Sequence, residues 1–365
     1  MVGLKILFYA KLMQRRLIIH AGFPKSGTTA LQASFRENAD VLRAANIEYP
    51  PSQNDAHHAG VAALVGRSIG WQTSKPDLAA WDNFVRTLKE SKSQTILISS
   101  EFFTAANENQ INRIKADFSE FTVQIFFTLR PLNRIVPSIY QQNLKKGSTL
   151  TYPEWISKKF MSATGELRDQ PNLINHANVI QKWAKVFQDR NITLIVADSN
   201  KPELLYEYTS SHLGISHLKS VEKRALNRSL TVNECEVLRR INTSVKQKWN
   251  WDEYQKLIRQ GYLKDLTATK SLSGESQFHT PTFLQDVISN FAKTQIEIIR
   301  SLDILVLGNL QLFASIDGNQ KGSPAIEESQ VARDFKIVMG HLNWRRRKYK
   351  LKPNVIFRRL MDKRA

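Results

Sequence analysis

The residues best suited to chemistry lie in the segment from His20 to Thr29, which reads HAGFPKSGTT. An apolar run at 17–19 precedes this segment, and a helical pattern of apolar residues follows it. A strand, a glycine-containing loop and a helix in this order can bind an anion, because loop amides and the helix dipole attract negative charge. Glycines let the backbone approach a phosphate closely, and Lys25 adds a full positive charge. The segment therefore predicts a phosphate-binding loop.

The position of the lysine decides which kind of phosphate loop this is. Nucleoside triphosphatase loops read GxxxxGK[ST], with the lysine directly after the second glycine. Here Gly22 and Gly27 have the right separation, but Thr28 takes the lysine position and Lys25 lies inside the loop. The segment instead resembles the P-K-S/T-G-T-T loop of PAPS-dependent sulfotransferases. The resemblance implies that the 5′-phosphosulfate of the donor PAPS (3′-phosphoadenosine 5′-phosphosulfate) is bound by Pro24, Lys25, Ser26, Gly27, Thr28 and Thr29.

A second segment resembles the same family. Arg130 ends the apolar run 123–129, and Ser138 follows eight residues later. In PAPS-dependent sulfotransferases an arginine and a serine at this spacing hold the 3′-phosphate of the donor. A guanidinium suits that role, because it gives two parallel hydrogen bonds to a phosphate and a hydroxyl adds another. Pro137 disfavours helical geometry at Val136, so we expect the following helix to begin near Pro137 or to be kinked there.

The candidate general base is Glu101, which lies between these two motifs. It ends a Ser-Ser-Glu sequence after the apolar strand 95–98, and bacterial carbohydrate sulfotransferases have a similar strand end. The resemblance implies that Glu101 deprotonates the acceptor hydroxyl, unless it caps a helix or pairs with a nearby arginine. His57 and His58 fall where relatives build an acceptor-side loop. Either histidine is a candidate substrate contact or an alternative base, and a structural or exposed role for each stays open.

Strand patterns alternate with helical stretches along the chain, at 16–20, 94–99, 122–129 and 192–197, with a short run near 47–49. This alternation predicts an α/β fold, a P-loop-type three-layer α/β/α arrangement with a mainly parallel central sheet, which the resemblance makes sulfotransferase-like. Lys25, Glu101 and Arg130 each follow the carboxyl end of a strand, where ligands bind in such sheets. We therefore expect the three side chains to converge.

The resemblance implies the main domain, and composition marks the segments that flank it. We predict an N-terminal extension at 1–15, a sulfotransferase domain at 16–317, a linker at 318–340 and a basic C-terminal tail at 341–365. Within the domain, the nucleotide-binding core spans 16–240 and a peripheral helical region spans 241–317.

Charge is concentrated at the C-terminus. The net charge is +19, and the last 25 residues hold ten basic residues against Asp362 alone. Interleaved aromatic and aliphatic residues indicate a basic amphipathic helix, which can dock on a membrane surface, bind an acidic glycan or remain a solvated tail. The single cysteine, Cys235, cannot form an internal disulfide and is expected in the core, which favours a reduced, cytoplasmic protein. The tail allows peripheral association with the inner face of the membrane.

Together these features predict a sulfotransferase that moves a sulfuryl group from PAPS to a hydroxyl of a carbohydrate or glycolipid. We expect no metal, because the sequence has no metal-ligand spacing, and nucleic acid is not the expected partner. A P-loop nucleotide kinase or nucleoside triphosphatase is the alternative enzyme. A basic membrane-surface or nucleic-acid binding protein is the alternative without catalysis.

Overall fold

Buried runs of β-branched and aromatic residues form the strands of the sheet. The computed structural model describes residues 14–50, 56–68, 76–162, 167–168, 173–220, 228–268, 277–316 and 325–351. Within these ranges the strands are β1 Arg16–His20, β2 Ile47–Glu48, β3 Thr95–Ser99, β4 Thr122–Leu129, β5 Ile192–Val196 and β6 Leu305–Leu307. The first five confirm the predicted strands. The sequence did not indicate β6, which has three residues and leaves Leu305 54% exposed.

The sheet is parallel at each strand pairing in the described residues, in the order β2-β3-β1-β4-β5-β6. β1 lies between β3 and β4, with His20 paired to Ser99 on one side and to Phe126 on the other. The carboxyl ends of three neighbouring strands therefore lie side by side. This confirms an α/β fold with a parallel central sheet, in an arrangement consistent with three α/β/α layers.

Helices connect the strands. Their bounds are α1 Thr28–Glu37, α2 Ala39–Ala44, α3 Ala56–Leu64, α4 Ala79–Glu90, α5 Glu108–Asp117, α6 Leu132–Lys145, α7 Tyr152–Trp155, α8 His176–Phe187, α9 Leu204–Leu213, α10 Val232–Val245, α11 Trp251–Tyr254, α12 Leu263–Ala268, α13 Thr282–Arg300 and α14 Glu328–Leu351. Short 3₁₀ turns lie at Glu101–Ala105, Asp189–Asn191 and Leu310–Ala314, and π-helical turns at Ile156–Phe160 and Gln255–Tyr262. No helix among the described residues is both long enough and apolar enough to cross a bilayer.

The helix that holds Ser138 does not begin near Pro137, as one of the two expected forms had it. α6 begins at Leu132, and Pro137 lies inside it. Helical geometry therefore continues through Val136 despite the preference that Pro137 imposes on it. A proline inside a helix removes one hydrogen bond and crowds the carbonyl four residues earlier, and the expected kink at Pro137 stays a prediction.

The described residues divide into two units. Unit 1 holds the residues up to Ile135 together with 173–220 and 282–316, and it contains the whole sheet. One side of its core packs Leu31 and Phe35 of α1 against Ile18 of β1 and Leu97 of β3. The apolar face that the sequence predicted for α1 is thus the face that covers the sheet.

Unit 2 holds residues 136–162, 167–168, 228–268, 277–281 and 325–351. Its helix α10 starts with a capping box, in which Thr231 accepts from Glu234 N and the Glu234 carboxylate accepts from Thr231 N. Cys235 is fully buried in α10, as predicted. Asn242 of α10 donates to the carbonyls of Leu144 and Ser148, at 2.8 Å each.

The two units do not follow the predicted linear division. Residues 136–162 and 228–240, assigned to the nucleotide-binding core, belong to unit 2, whereas 282–316, assigned to the peripheral region, belong to unit 1. α14 runs through the predicted boundary between linker and tail, because Val331 and Leu342 lie on one buried helical face. Residues 1–13, 317–324 and 352–365 of the predicted extension, linker and tail lie outside the described residues.

Candidate functional site

The loop between β1 and α1 makes a tight turn before the helix. Lys25 has a φ of 69° and Gly27 a φ of 101°, so the chain passes twice through the left-handed region. Ser26 N donates to Phe23 O at 3.1 Å, and Gly27 O accepts from Ala30 N and Leu31 N at 2.9 and 3.1 Å. Gly27 is the N-cap residue of α1, whose first turn holds no acidic residue. The positive end of the helix dipole and Lys25 therefore lie together at the end of β1.

Arg130 lies directly against this loop. It follows β4 and is half-buried, and its Nη1 donates to Lys25 O at 3.3 Å. Both residues belong to unit 1. The hydrogen bond brings together the two cationic residues that the sequence placed in separate motifs. The contact is made to the backbone of Lys25, so the convergence of the Lys25 and Arg130 side chains on one ligand stays a prediction.

A buried polar network lies beneath the loop. His20, the last residue of β1, contacts Ser99 Oγ of β3 through Nδ1 at 2.8 Å and Thr128 Oγ1 of β4 through Nε2 at 3.5 Å. Ser26 Oγ lies 2.6 Å from Thr128 Oγ1 and donates to Phe23 O at 2.6 Å. Gln32 of α1 donates to Ser99 Oγ at 3.1 Å. The network ties three strand ends to the loop.

His20 is neutral in this network. Burial, with a smaller contribution from the nearby His212, lowers the pKa of His20 to about 3. Its ring stacks on Phe126 with centroids 4.5 Å apart. A neutral imidazole can donate with one nitrogen and accept with the other, so it can connect two hydroxyl groups. The sequence motifs predict no separate role for His20, Ser99 or Thr128. The signal in the sequence that could have pointed to the network is that several apolar strands end in polar residues.

Glu101 opens the 3₁₀ turn that follows β3. Ser100 N donates to His20 O at 3.1 Å, and Ser100 Oγ caps the turn by accepting from Phe102 N at 3.2 Å. The capping role considered for Glu101 thus belongs to Ser100. Glu101 itself is half-buried, one residue beyond the hydrogen bond that links the strand end to β1. Glu101 follows the carboxyl end of β3, and both its convergence with Lys25 and Arg130 and its role as base stay predictions.

The two histidines of α3 have different environments. His57 is 3% exposed, packs against Tyr49 and Phe84, and accepts from Ser99 N through Nδ1 at 3.4 Å. Burial lowers the pKa of His57 to about 4. His58 is half-buried, contacts Ser100 Oγ through Nδ1 at 2.8 Å and packs on Phe102 at 5.0 Å. Of the pair, His58 lies beside the Glu101 turn, while His57 supports the end of β3.

Ser138 lies half-buried in α6, in the part of the helix that belongs to unit 2. Its contribution to 3′-phosphate binding stays a prediction from the resemblance. Among the described residues, no group of three or more histidine, cysteine, aspartate or glutamate side chains could hold a metal ion.

The chain matches no protein-family model. No curated protein matches it in sequence.

Proposed function

We propose that this chain is a PAPS-dependent sulfotransferase that acts on a hydroxyl of a carbohydrate or glycolipid. The observation that supports this function best is the contact between Arg130 and the backbone of Lys25. A loop that carries one cation and is contacted by a second suits a donor with two phosphate groups. An ordinary nucleotide has no 3′-phosphate for the second cation to bind.

The proposed reaction uses in-line displacement at sulfur. The Glu101 carboxylate accepts the proton of the acceptor hydroxyl, and the acceptor oxygen forms a bond to sulfur. The bond between sulfur and the bridging oxygen of the 5′-phosphate breaks, and adenosine 3′,5′-bisphosphate leaves. Lys25 and the amides at 27–29 stabilise the charge that develops on the bridging and phosphate oxygens, while Ser26 N, expected from the sequence to join them, donates to Phe23 O. Positioning and electrostatics carry the catalysis, as they do in phosphoryl transfer.

The geometry of Thr28 disfavours the nucleoside triphosphatase alternative. That class requires a lysine side chain at this position, directed at the phosphates. Thr28 is 3% exposed, and its Oγ1 points back to Phe23 O at 3.4 Å. The loop therefore places a small, buried side chain where the alternative needs an exposed cation.

The first experiment compares two ligands that differ only in the 3′-phosphate, adenosine 3′,5′-bisphosphate and adenosine 5′-monophosphate, by calorimetric titration. We expect the wild type to prefer the bisphosphate. Lys25→Ala should weaken both ligands, by about 10-fold or more, because a hydrogen bond to a charged group contributes about 1.5–3 kcal/mol. Arg130→Ala should remove the preference for the bisphosphate. Lys201→Ala, which removes an exposed lysine elsewhere in unit 1, is the matched control.

Equal affinity of the wild type for both ligands would contradict the proposal. So would an Arg130→Ala variant that keeps the full preference. Magnesium-dependent turnover of ATP would support the triphosphatase alternative instead. A screen for transfer of labelled sulfate from PAPS to glycan and glycolipid fractions then identifies the acceptor.

A further inference from the structure

One face of α14 in unit 2 presents large apolar side chains to solvent. Ile337 is 70% exposed and Trp344 is 52% exposed. Val331 and Leu342 of the same helix are 0% and 1% exposed, so the helix has a buried side and an outer side. Monomeric proteins rarely expose a large cluster of apolar side chains unless that cluster binds another molecule.

The outer side forms a single strip. At about 100° per residue, Gly340 lies opposite Val331, and the positions around Gly340 face the same way. A shallow depression there is lined by Lys336, Ile337, Gly340, His341 and Trp344. We call these residues, together with Arg333, Arg347 and Lys348, the α14 outer face; all except the glycine have side chains that are exposed in the structure.

The charged side chains of the α14 outer face are all basic. From Phe335 to Met361 the sequence contains no aspartate or glutamate. Arg345 and Arg346 turn inward, to Asp265 at 3.6 Å and to Glu253 at 3.1 Å, and they attach the helix to its own unit. Arg347 and Lys348 are exposed, and Lys348 Nζ lies 4.1 Å from the centre of the Trp344 ring. The cations and the apolar side chains thus share the outer face.

We propose that the α14 outer face binds the surface of an anionic lipid bilayer. Tryptophan and isoleucine can enter the boundary between headgroups and acyl chains, while lysine and arginine reach the lipid phosphates. Anionic lipids attract each basic residue near the surface, and the effect falls with salt. A nucleic acid would use the cations but would leave Ile337 without an apolar contact. The combination of exposed apolar and basic side chains therefore favours a bilayer.

The test is flotation of the full chain with vesicles of phosphatidylcholine alone or of phosphatidylcholine with phosphatidylglycerol. We expect binding to the anionic vesicles and a decrease with added salt. The triple variant Arg333→Gln, Lys336→Gln, Arg347→Gln should bind about 100-fold more weakly at low salt, since each charge contributes about fivefold. Trp344→Ala should reduce binding by about 10-fold while the salt dependence remains.

Phe283→Ala is the matched control, because Phe283 is 68% exposed on another helix, α13. It should bind vesicles like the wild type. Equal binding to neutral and anionic vesicles would overturn the proposal, as would full binding by both α14 variants. Binding of an RNA or DNA duplex without binding of anionic vesicles would assign the face to nucleic acid and would also overturn it. The assay measures vesicle binding alone, so its result is independent of the proposed sulfuryl transfer.

Discussion

Gly22 gives the sharpest test of the polar network beneath the loop. A Cβ at this position would lie 2.6 Å from His20 Nε2 and 2.8 Å from Thr128 Oγ1, and closer still to Thr28 Oγ1. Ordinary contacts between such heavy atoms are about 3.5–4.0 Å. Thr28 is 3% exposed, and His20 and Thr128 are fully buried, so none of the three can move into solvent. Gly22→Ala must therefore displace hydrogen-bonded groups.

The expected cost combines two effects. An extra methyl group in a packed interior costs about 1–3 kcal/mol of strain. Moving Thr128 also weakens its hydrogen bond to Ser26, which contributes about 1 kcal/mol. The free energy of unfolding should therefore fall by about 2–4 kcal/mol. Because Ser26 belongs to the phosphate loop, the affinity for adenosine 3′,5′-bisphosphate should fall as well.

Urea unfolding measures the change in the free energy of unfolding, and calorimetric titration measures the change in affinity for adenosine 3′,5′-bisphosphate. The control is Gly340→Ala, where no atom lies within 4 Å of the added Cβ. Gly340 lies inside α14, so this variant should be more stable than the wild type by about 0.5–1 kcal/mol. A Gly22→Ala protein with wild-type stability and wild-type affinity would refute the tight packing of the network against the loop.

Two further predictions concern proton chemistry. Glu101→Gln should abolish sulfuryl transfer and leave the affinity for adenosine 3′,5′-bisphosphate unchanged. His58→Gln should lower the rate of sulfuryl transfer by a smaller factor. A larger loss of transfer in His58→Gln than in Glu101→Gln would make His58 the base. Below pH 6.5 the unfolded chain should bind more protons than the folded one, because burial lowers the pKa of His20 and His176 to about 3 and of His57 to about 4. Stability should therefore be greatest above pH 6.5 and fall as the pH drops, by roughly 2 kcal/mol per histidine at pH 5. Urea unfolding at pH 7 and pH 5 measures this loss, and equal stability at the two values would contradict the buried, neutral state of these rings.

The strands and the loop could be predicted because their information is local. Apolar residues dominate β1, β3, β4 and β5, and the glycines mark the turn that follows β1. The strand β6 could not be predicted, since three residues with Leu305 exposed give no periodic pattern. The start of α14 was missed for a different reason. Its buried face has only a few apolar residues among many charged ones, so the pattern read as a linker.

The network around His20 shows what a single sequence conceals. Its partners Ser99 and Thr128 lie 79 and 108 residues away, and only the register of β3, β1 and β4 brings them together. The sequence shows that three strands have polar residues at or near their ends. Which of these residues contact one another depends on the order of the strands in the sheet. The division into two units is hidden for the same reason, because it follows contacts between distant segments rather than changes in composition.

The contact between Arg130 and Lys25 O has a consequence for any measurement at this site. A guanidinium has five N–H donors in a planar fork, so a bond to a carbonyl and bonds to a phosphate are compatible. Arg130 can therefore support the loop at Lys25, whose φ of 69° is uncommon for a residue with a side chain, and also bind an anion. Removing Arg130 disturbs the loop, so a loss of total affinity alone cannot distinguish the two roles. The ratio of affinities for the two adenosine ligands can, because a disturbed loop weakens both ligands while only a lost 3′-phosphate contact changes their ratio.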